Sequence, residues 1–311
     1  MSVETEPPQL EQESTDLEIG DRLHIGRYVA AAISLVLIAW MSVGAVRNPR
    51  FEWGVVWEYM FDDAILAGLR TTLVLTAVAM AIAIVLGVML AVMRLSANPV
   101  LQSISWVYVW VFRAVPTLVQ LIVWFNLGAL YPKLSIGIPF GPEFITGDAN
   151  SLISAWTAAL LGLGLHEAAY MAEIIRSGIE AVDRGQREAA LALGMSRTMV
   201  MRRIVLRQAF RIIIPPTGNQ VISLLKVTSL VSVIALSDLL YSAQVISARN
   251  FLVIPLLIVI SIWYLFITSV LMVGQHYLER YMSRSDRDAG AAGDPRAGGS
   301  KTVARVGGPD A

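Results

Sequence analysis

Residues 71–93 read TTLVLTAVAMAIAIVLGVMLAVM, a run of 23 residues without a single charge. About 20 apolar residues cross ~30 Å of hydrocarbon as a helix, and a lone segment must be helical there because no water satisfies its backbone. Five further segments have this character: Tyr28–Val46, Ile104–Leu130, Leu152–Met171, Ile212–Leu236 and Phe251–Gly274. The chain is 56% hydrophobic and 15% charged, with mean hydropathy +0.62, against about 25% charged residues in soluble domains. The fold class expected is all-α, a polytopic integral membrane protein of about six transmembrane helices.

Lys and Arg place the loops, because positively charged loops stay on the cytoplasmic side. With both termini inside, the inner segments hold seventeen basic residues, against Arg47, Arg50, Lys133 and Arg249 in the outer loops and Arg70 at the outer edge of the second span. Eight of the inner ones are arginines between Arg176 and Arg211. Residues 1–27 carry seven acidic side chains against two arginines, which is not the charge of a secretory leader, so 28–46 is expected to be an uncleaved additional span. The acidic segment 1–27 and the Gly-, Ala- and Arg-rich segment 284–311 are expected to be disordered cytoplasmic tails. Between them lies a core at 64–278. The outer loop from Tyr131 to Ser151, rich in Pro and Gly, is expected to be an irregular connection.

The inner segment at about 176–208 is unusual. GIEAVDRGQREAALAL, from Gly178 to Leu193, is expected to be helical and closed by Gly194, and Ser196 caps a second helix containing Met199, Val200, Arg203 and Ile204. The result is a helix, a glycine turn and a helix. Ala189 and Ala190 are small enough for another surface to approach closely. Such a pair either rests on anionic headgroups or inserts into a groove on a soluble partner.

The residues favour the partner. Glu188-Ala189-Ala190, Gly194 and Ile204-Val205-Leu206 resemble the EAA signature of ABC importer permeases, with Arg207 where that motif ends in proline. Gly185-Gln186, Ala172-Glu173-Ile174, Phe112-Arg113 with Pro116 and Gln120, and Lys226 with Thr228-Ser229-Leu230 extend the resemblance to the MetI-like permeases of the polar amino acid family; Val227 stands where that family typically has an acid. The resemblance covers roughly residues 68–274. It implies a multi-pass bacterial cell-membrane subunit forming half of a translocation pathway for polar amino acids. It also implies two ATPase subunits, a second permease chain, identical or homologous, and an extracytoplasmic solute-binding protein, with no nucleic acid. Gly185, Glu188, Ala189, Ala190, Gly194, Met199, Arg203 and Ile204 would form the coupling loop.

No cofactor is expected on this chain itself. Its nearest approach to a phosphate loop, GGSKT at 298–302, lacks the glycine that precedes the lysine. With no cysteine and three scattered histidines, metal binding has no obvious ligands.

Ionisable groups within spans tend to face cavities or each other. Arg113, Pro116, Gln120 and Trp124 recur at three- and four-residue steps and are expected to share one face. Asn219, Ser223 and Lys226 form a second stripe after Pro215-Pro216, where an interrupted helix is expected. Glu167, His166 and Tyr170 lie on the fourth span. Arg113, Gln120, Glu167, Tyr170, Asn219, Lys226 and Ser229 are therefore the candidate pathway residues, since a zwitterion calls for a fixed cation and a fixed anion. The same machinery for another small polar solute, a membrane-embedded enzyme using Glu167 and His166, and a passive channel are the competing readings. Adjacent residues on a helix point some 100° apart, which disfavours the enzyme.

Overall fold

The computed structural model describes residues 25–137 and 143–291, and the expectations for 1–24 and 292–311 fall outside them. The chain divides into two units, residues 1–51 and 52–311. The first contains α1 (Ile25–Arg47), a 23-residue helix covering the expected additional span.

The second unit begins with α2 (Trp53–Tyr59) and α3 (Asp63–Arg94), then α4 (Pro99–Ala114), α5 (Thr117–Phe125) and α6 (Leu127–Leu130). A two-stranded antiparallel hairpin, β1 (Lys133–Gly137) and β2 (Glu143–Asp148), leads into α7 (Ala149–Leu152) and α8 (Ala155–Glu180). After α9 (Arg184–Ala192) and α10 (Arg197–Val200), a π segment Met201–Val205 runs into α11 (Leu206–Val227). A 3-10 segment Thr228–Ile234, α12 (Leu239–Asn250) and α13 (Val253–Ala291) complete it.

Among the described residues five helices are long and apolar enough to cross a membrane, and the pair α4 and α5, bent by 100°, brings the number to six when taken as one broken span. These match the six apolar segments of the sequence. The 131–151 connection is more regular than expected: Ser135 pairs with Thr146 and Ile136 with Ile145. Alternation at Leu134 and Ile136 suits a strand, a signal too short to notice among prolines and glycines.

Helix starts follow local chemistry. Asp62, Asn98, Ser154, Asp183, Ser196 and Asp238 each accept a backbone N–H at the head of a helix, satisfying donors that have no intrahelical partner.

The centre of the unit is the packing of α3 on α8, with α5 and α11 completing a core that includes Leu75, Leu121, Leu163, Met171 and Leu224. A second core gathers α2, the start of α3, α12 and α13 around Ile65, Leu239 and Leu256. There Trp263 Nε1 donates to the Met60 carbonyl at 2.9 Å.

Where α3 crosses α8, a Cβ on Gly87 would lie 2.5 Å from Met171 Cβ and 3.1 Å from the Ala172 nitrogen. Both obstacles are close to backbone and cannot swing aside. Gly87→Val is therefore expected to reduce the yield of monodisperse, detergent-extracted protein several-fold, an overpacking cost of about 3 kcal/mol or more. Size-exclusion chromatography checks this, and a wild-type profile would show that the two helices separate freely.

The proline pair does not break its helix. Pro215 and Pro216 lie inside α11, although neither has an N–H for the carbonyl four residues before it. Those carbonyls belong to Arg211 and Ile212, and the helix carries on past them with added side-chain bonds just beyond: Thr217 Oγ1 donates to the Ile213 carbonyl and Gln275 Nε2, from α13, to the Pro215 carbonyl, both at 2.8 Å. The interruption falls later, in the 3-10 segment and at Ala235, whose φ is 55°.

Candidate functional site

Pro116 decides how the third span presents its polar groups. Without an N–H at 116, the Phe112 carbonyl loses its helical partner, and the chain turns through 100° between α4 and α5. Gln120 occupies the inside of that corner. Its amide nitrogen lies 2.9 Å from the Phe112 carbonyl, 2.8 Å from the Val115 carbonyl and 3.1 Å from His166 Nδ1. The bend also corrects the expected common face, because Gln120 is buried while Arg113 is exposed on the other arm.

On α8 the neighbouring His166 and Glu167 face different helices. His166 Nε2 is 3.1 Å from Thr117 Oγ1 on α5, whereas Glu167 Oε2 accepts from Gln220 Nε2 on α11 at 2.6 Å. They form no dyad. Glu167 is 3% exposed, so its one described side-chain partner matters. One turn further on, Tyr170 packs against the His166 ring at 5.2 Å and under the Arg113 guanidinium, whose Cζ lies 5.0 Å from the ring centre. A cation over an aromatic face is attracted by its quadrupole.

Arg113 and Tyr170 also line a groove of about 480 Å³ with Arg94, Trp106, Trp110 and Glu173. It thus offers two guanidinium groups, one carboxylate and aromatic faces within one concavity. The indoles of Trp106 and Trp110 stack with centroids 5.9 Å apart, and Glu173 Oε2 accepts from Arg176 Nη2 at 2.8 Å.

The structure therefore brings together Arg113, Gln120 and Tyr170 through His166, with Glu167 on the adjoining face of α8. Asn219 and Lys226 are exposed on α11, and Ser229 Oγ returns to the Lys226 carbonyl at 2.8 Å. Among the described residues no hydrogen bond joins those three to the α8 group. Thr117 and Gln220 are members that sequence reasoning missed; neutral side chains beside charged ones give no signal until the helices are packed.

The second feature is the connection between α8 and α11. The helix expected from Gly178 to Leu193 is two pieces, because α8 extends to Glu180 and Asp183 caps α9, its Oδ1 accepting from Gln186 N at 3.0 Å. The end of α9 has paired closing bonds: Met195 N donates to the Ala190 carbonyl at 3.1 Å and Gly194 N to the Leu191 carbonyl at 2.9 Å. This pattern needs a left-handed residue at Gly194, whose φ is 81°. Gln208 Nε2 donates to Gln186 Oε1 at 2.6 Å, tying α9 to α11.

The turn has two sides. Ala190 and Val200 are buried and Ile204 is half-buried in the chain's own core, so Ala190 is not free to receive a partner. Gly185, Glu188, Ala189, Gly194, Met199 and Arg203 remain exposed, together with Leu193, which is 85% exposed and was not singled out from sequence. At Arg207, in place of the motif proline, the helix continues unbroken from the π segment into α11.

Known proteins share this arrangement. The family model described as a binding-protein-dependent transport system inner membrane component matches residues 83–284. The chain is 49% identical over 263 residues to the arginine transport system permease protein ArgU of Corynebacterium glutamicum, covering 84% of this chain and 81% of that protein. It is 36% identical over 234 residues to the probable amino-acid permease protein YxeN of Bacillus subtilis, covering 74% and 97%. A solved amino acid ABC transporter with histidines aligns at TM-score 0.60 and 34% identity, over 70% of this chain and 94% of the other. Multiple spans, an exposed helical turn between two of them and a match over most of the core lead to one assignment: the chain belongs to the family of binding-protein-dependent transport system inner membrane components.

Proposed function

We propose that this chain is the permease subunit of an ATP-driven amino acid importer and forms half of its pathway, with polar amino acids as cargo and arginine first among them. Exposed Asn219 and Lys226 lie on a helix of spanning length and exposed Arg113 beside the bend of the α4 and α5 pair, and such groups are costly against lipid. A second permease chain, identical or homologous, covers them. ATP is hydrolysed by two partner subunits that dock on the turn at Glu188, Ala189, Leu193 and Met199, so both termini lie with that turn in the cytoplasm. The solute-binding protein delivers cargo to the opposite face.

The observation that carries this assignment is the polar concavity of Arg94, Arg113, Tyr170 and Glu173 beside α8. A substrate carboxylate meets a guanidinium there, bidentate where geometry allows. A cationic side chain meets Glu173 and the aromatic faces. ArgU, a relative named for arginine transport, supports the choice of cargo.

The test is reconstitution of the permease with its ATPase and binding protein in vesicles, followed by a panel of amino acids. Arginine-loaded binding protein is expected to raise ATP hydrolysis several-fold and to drive uptake, whereas permease alone passes nothing. Flux without ATPase would identify a passive channel, and stimulation only by a solute that is not an amino acid would overturn the cargo.

A further inference from the structure

Away from the groove and the turn, two buried oxygens without hydrogen-bond partners belong to one neighbourhood. They are Asp238 Oδ2 and the Tyr264 hydroxyl. Asp238 is 0% exposed and stands where the interrupted helix resumes, between the 3-10 segment and α12. Its Oδ1 accepts from Tyr241 N at 2.8 Å as the cap of α12. Tyr264, on α13, has its hydroxyl beside those of Thr72 on α3 and Thr228 on the 3-10 segment, within the field of the Asp238 carboxylate. Thr72 and Thr228 are both 0% exposed. Thr72 Oγ1 accepts from Leu239 N at 3.1 Å, and Thr228 Oγ1 donates to the Leu225 carbonyl at 2.6 Å.

These four side chains come from four elements and are all oxygen donors. No basic side chain is paired with Asp238 among the described residues, yet an ionised carboxylate in a closed interior needs a counter-charge. Hard cations take oxygen ligands. The four meet where α11 tightens into the 3-10 segment Thr228–Ile234, which ends at the left-handed Ala235 three residues before Asp238.

We propose that Asp238, Tyr264, Thr72 and Thr228 form a buried binding site for one sodium ion, which fixes the 3-10 segment between α11 and α12 to α3 and α13. Burial also holds the Asp238 carboxyl up at about 6, against the lowering effect of the N–H groups at the head of α12. Backbone N–H groups of α12 bond it, the hydroxyls in its neighbourhood are those of Thr72 from α3, Thr228 from the 3-10 segment and Tyr264 from α13, and no basic side chain pairs with it among the described residues. A proton therefore competes with the ion below about pH 6, and at pH 8 the carboxylate is free to bind it.

The test uses the importer complex in lipid nanodiscs at pH 8, with thermal unfolding of the permease followed in NaCl and in choline chloride at equal ionic strength. Sodium alone is expected to raise the midpoint saturably, on the order of 5 °C, with the rise fading at pH 5. Asp238→Asn keeps a competent helix cap and is expected to remove the sodium response, as is Tyr264→Phe. Equal responses to sodium and choline, or a sodium response retained in Asp238→Asn, would overturn the site and leave the cluster to water or a proton. Should the variants fail to fold, equilibrium binding of radioactive sodium to the wild-type complex decides: about one competable ion per permease chain supports the site, and none overturns it.

Discussion

Gly194→Val is expected to strip the ATPase from the purified permease while leaving the membrane helices folded. At φ 81° a β-branched side chain meets the backbone at a cost of about 1–2 kcal/mol. The chain escapes that cost by giving up the bonds from Met195 N and Gly194 N that close α9. The exposed residues on its two sides, Glu188, Ala189 and Leu193 before it and Met199 after it, then lose their fixed relation. A docking surface concentrates its energy in a few well-placed side chains, each worth roughly 2 kcal/mol or more, so affinity should fall on the order of 100-fold. Gly194→Asn, which tolerates a left-handed backbone, should keep most of it. Co-purification with intact α-helical circular dichroism is the measurement; wild-type docking of the valine variant would show that the turn is not the contact.

Glu167→Gln is expected to lower uptake about ten- to 100-fold with the ATPase still bound. The carboxylate is 3% exposed and accepts from Gln220 at 2.6 Å, and a hydrogen bond to a charged group contributes about 1.5–3 kcal/mol. The amide is nearly isosteric and keeps a carbonyl for Gln220, so packing of α8 on α11 persists. What disappears is the carboxylate, and with it an acid able to carry charge, at the buried contact of α8 with α11. Uptake in vesicles, normalised to docked ATPase, distinguishes the two roles: undiminished transport would make Glu167 a purely structural contact between α8 and α11.

The spans were legible because their signal is one-dimensional, 20 or so apolar residues in a row. What the residues on them face was less so. A three- and four-residue rhythm places Arg113 and Gln120 together only on a straight helix, and Pro116 bends that helix by 100°. Pro215 and Pro216 looked equally disruptive, yet their helix survives with a side-chain amide from Gln275, 60 positions away. The break that does occur, through Thr228 to Ala235, contains neither proline nor glycine. The helix that follows it is capped locally by Asp238 and held across the fold by Thr72, 167 positions away from Leu239. In the turn between α8 and α11, Gly194 and Ser196 were readable from cap chemistry. The inward role of Ala190 was not, because small size alone does not say which surface comes close.

The unbroken run from Arg197 through the π segment to Val227 makes a single shaft of roughly 45 Å at 1.5 Å per residue. Its head is the exposed turn at Gly194 and its far end carries Lys226, with the π segment and Pro215-Pro216 between them. Each residue added to such a shaft would turn one end by about 100° against the other. Its length is consequently a matter of angular phase as much as reach, and a graft or deletion there must conserve whole turns to keep the two ends aimed as they are.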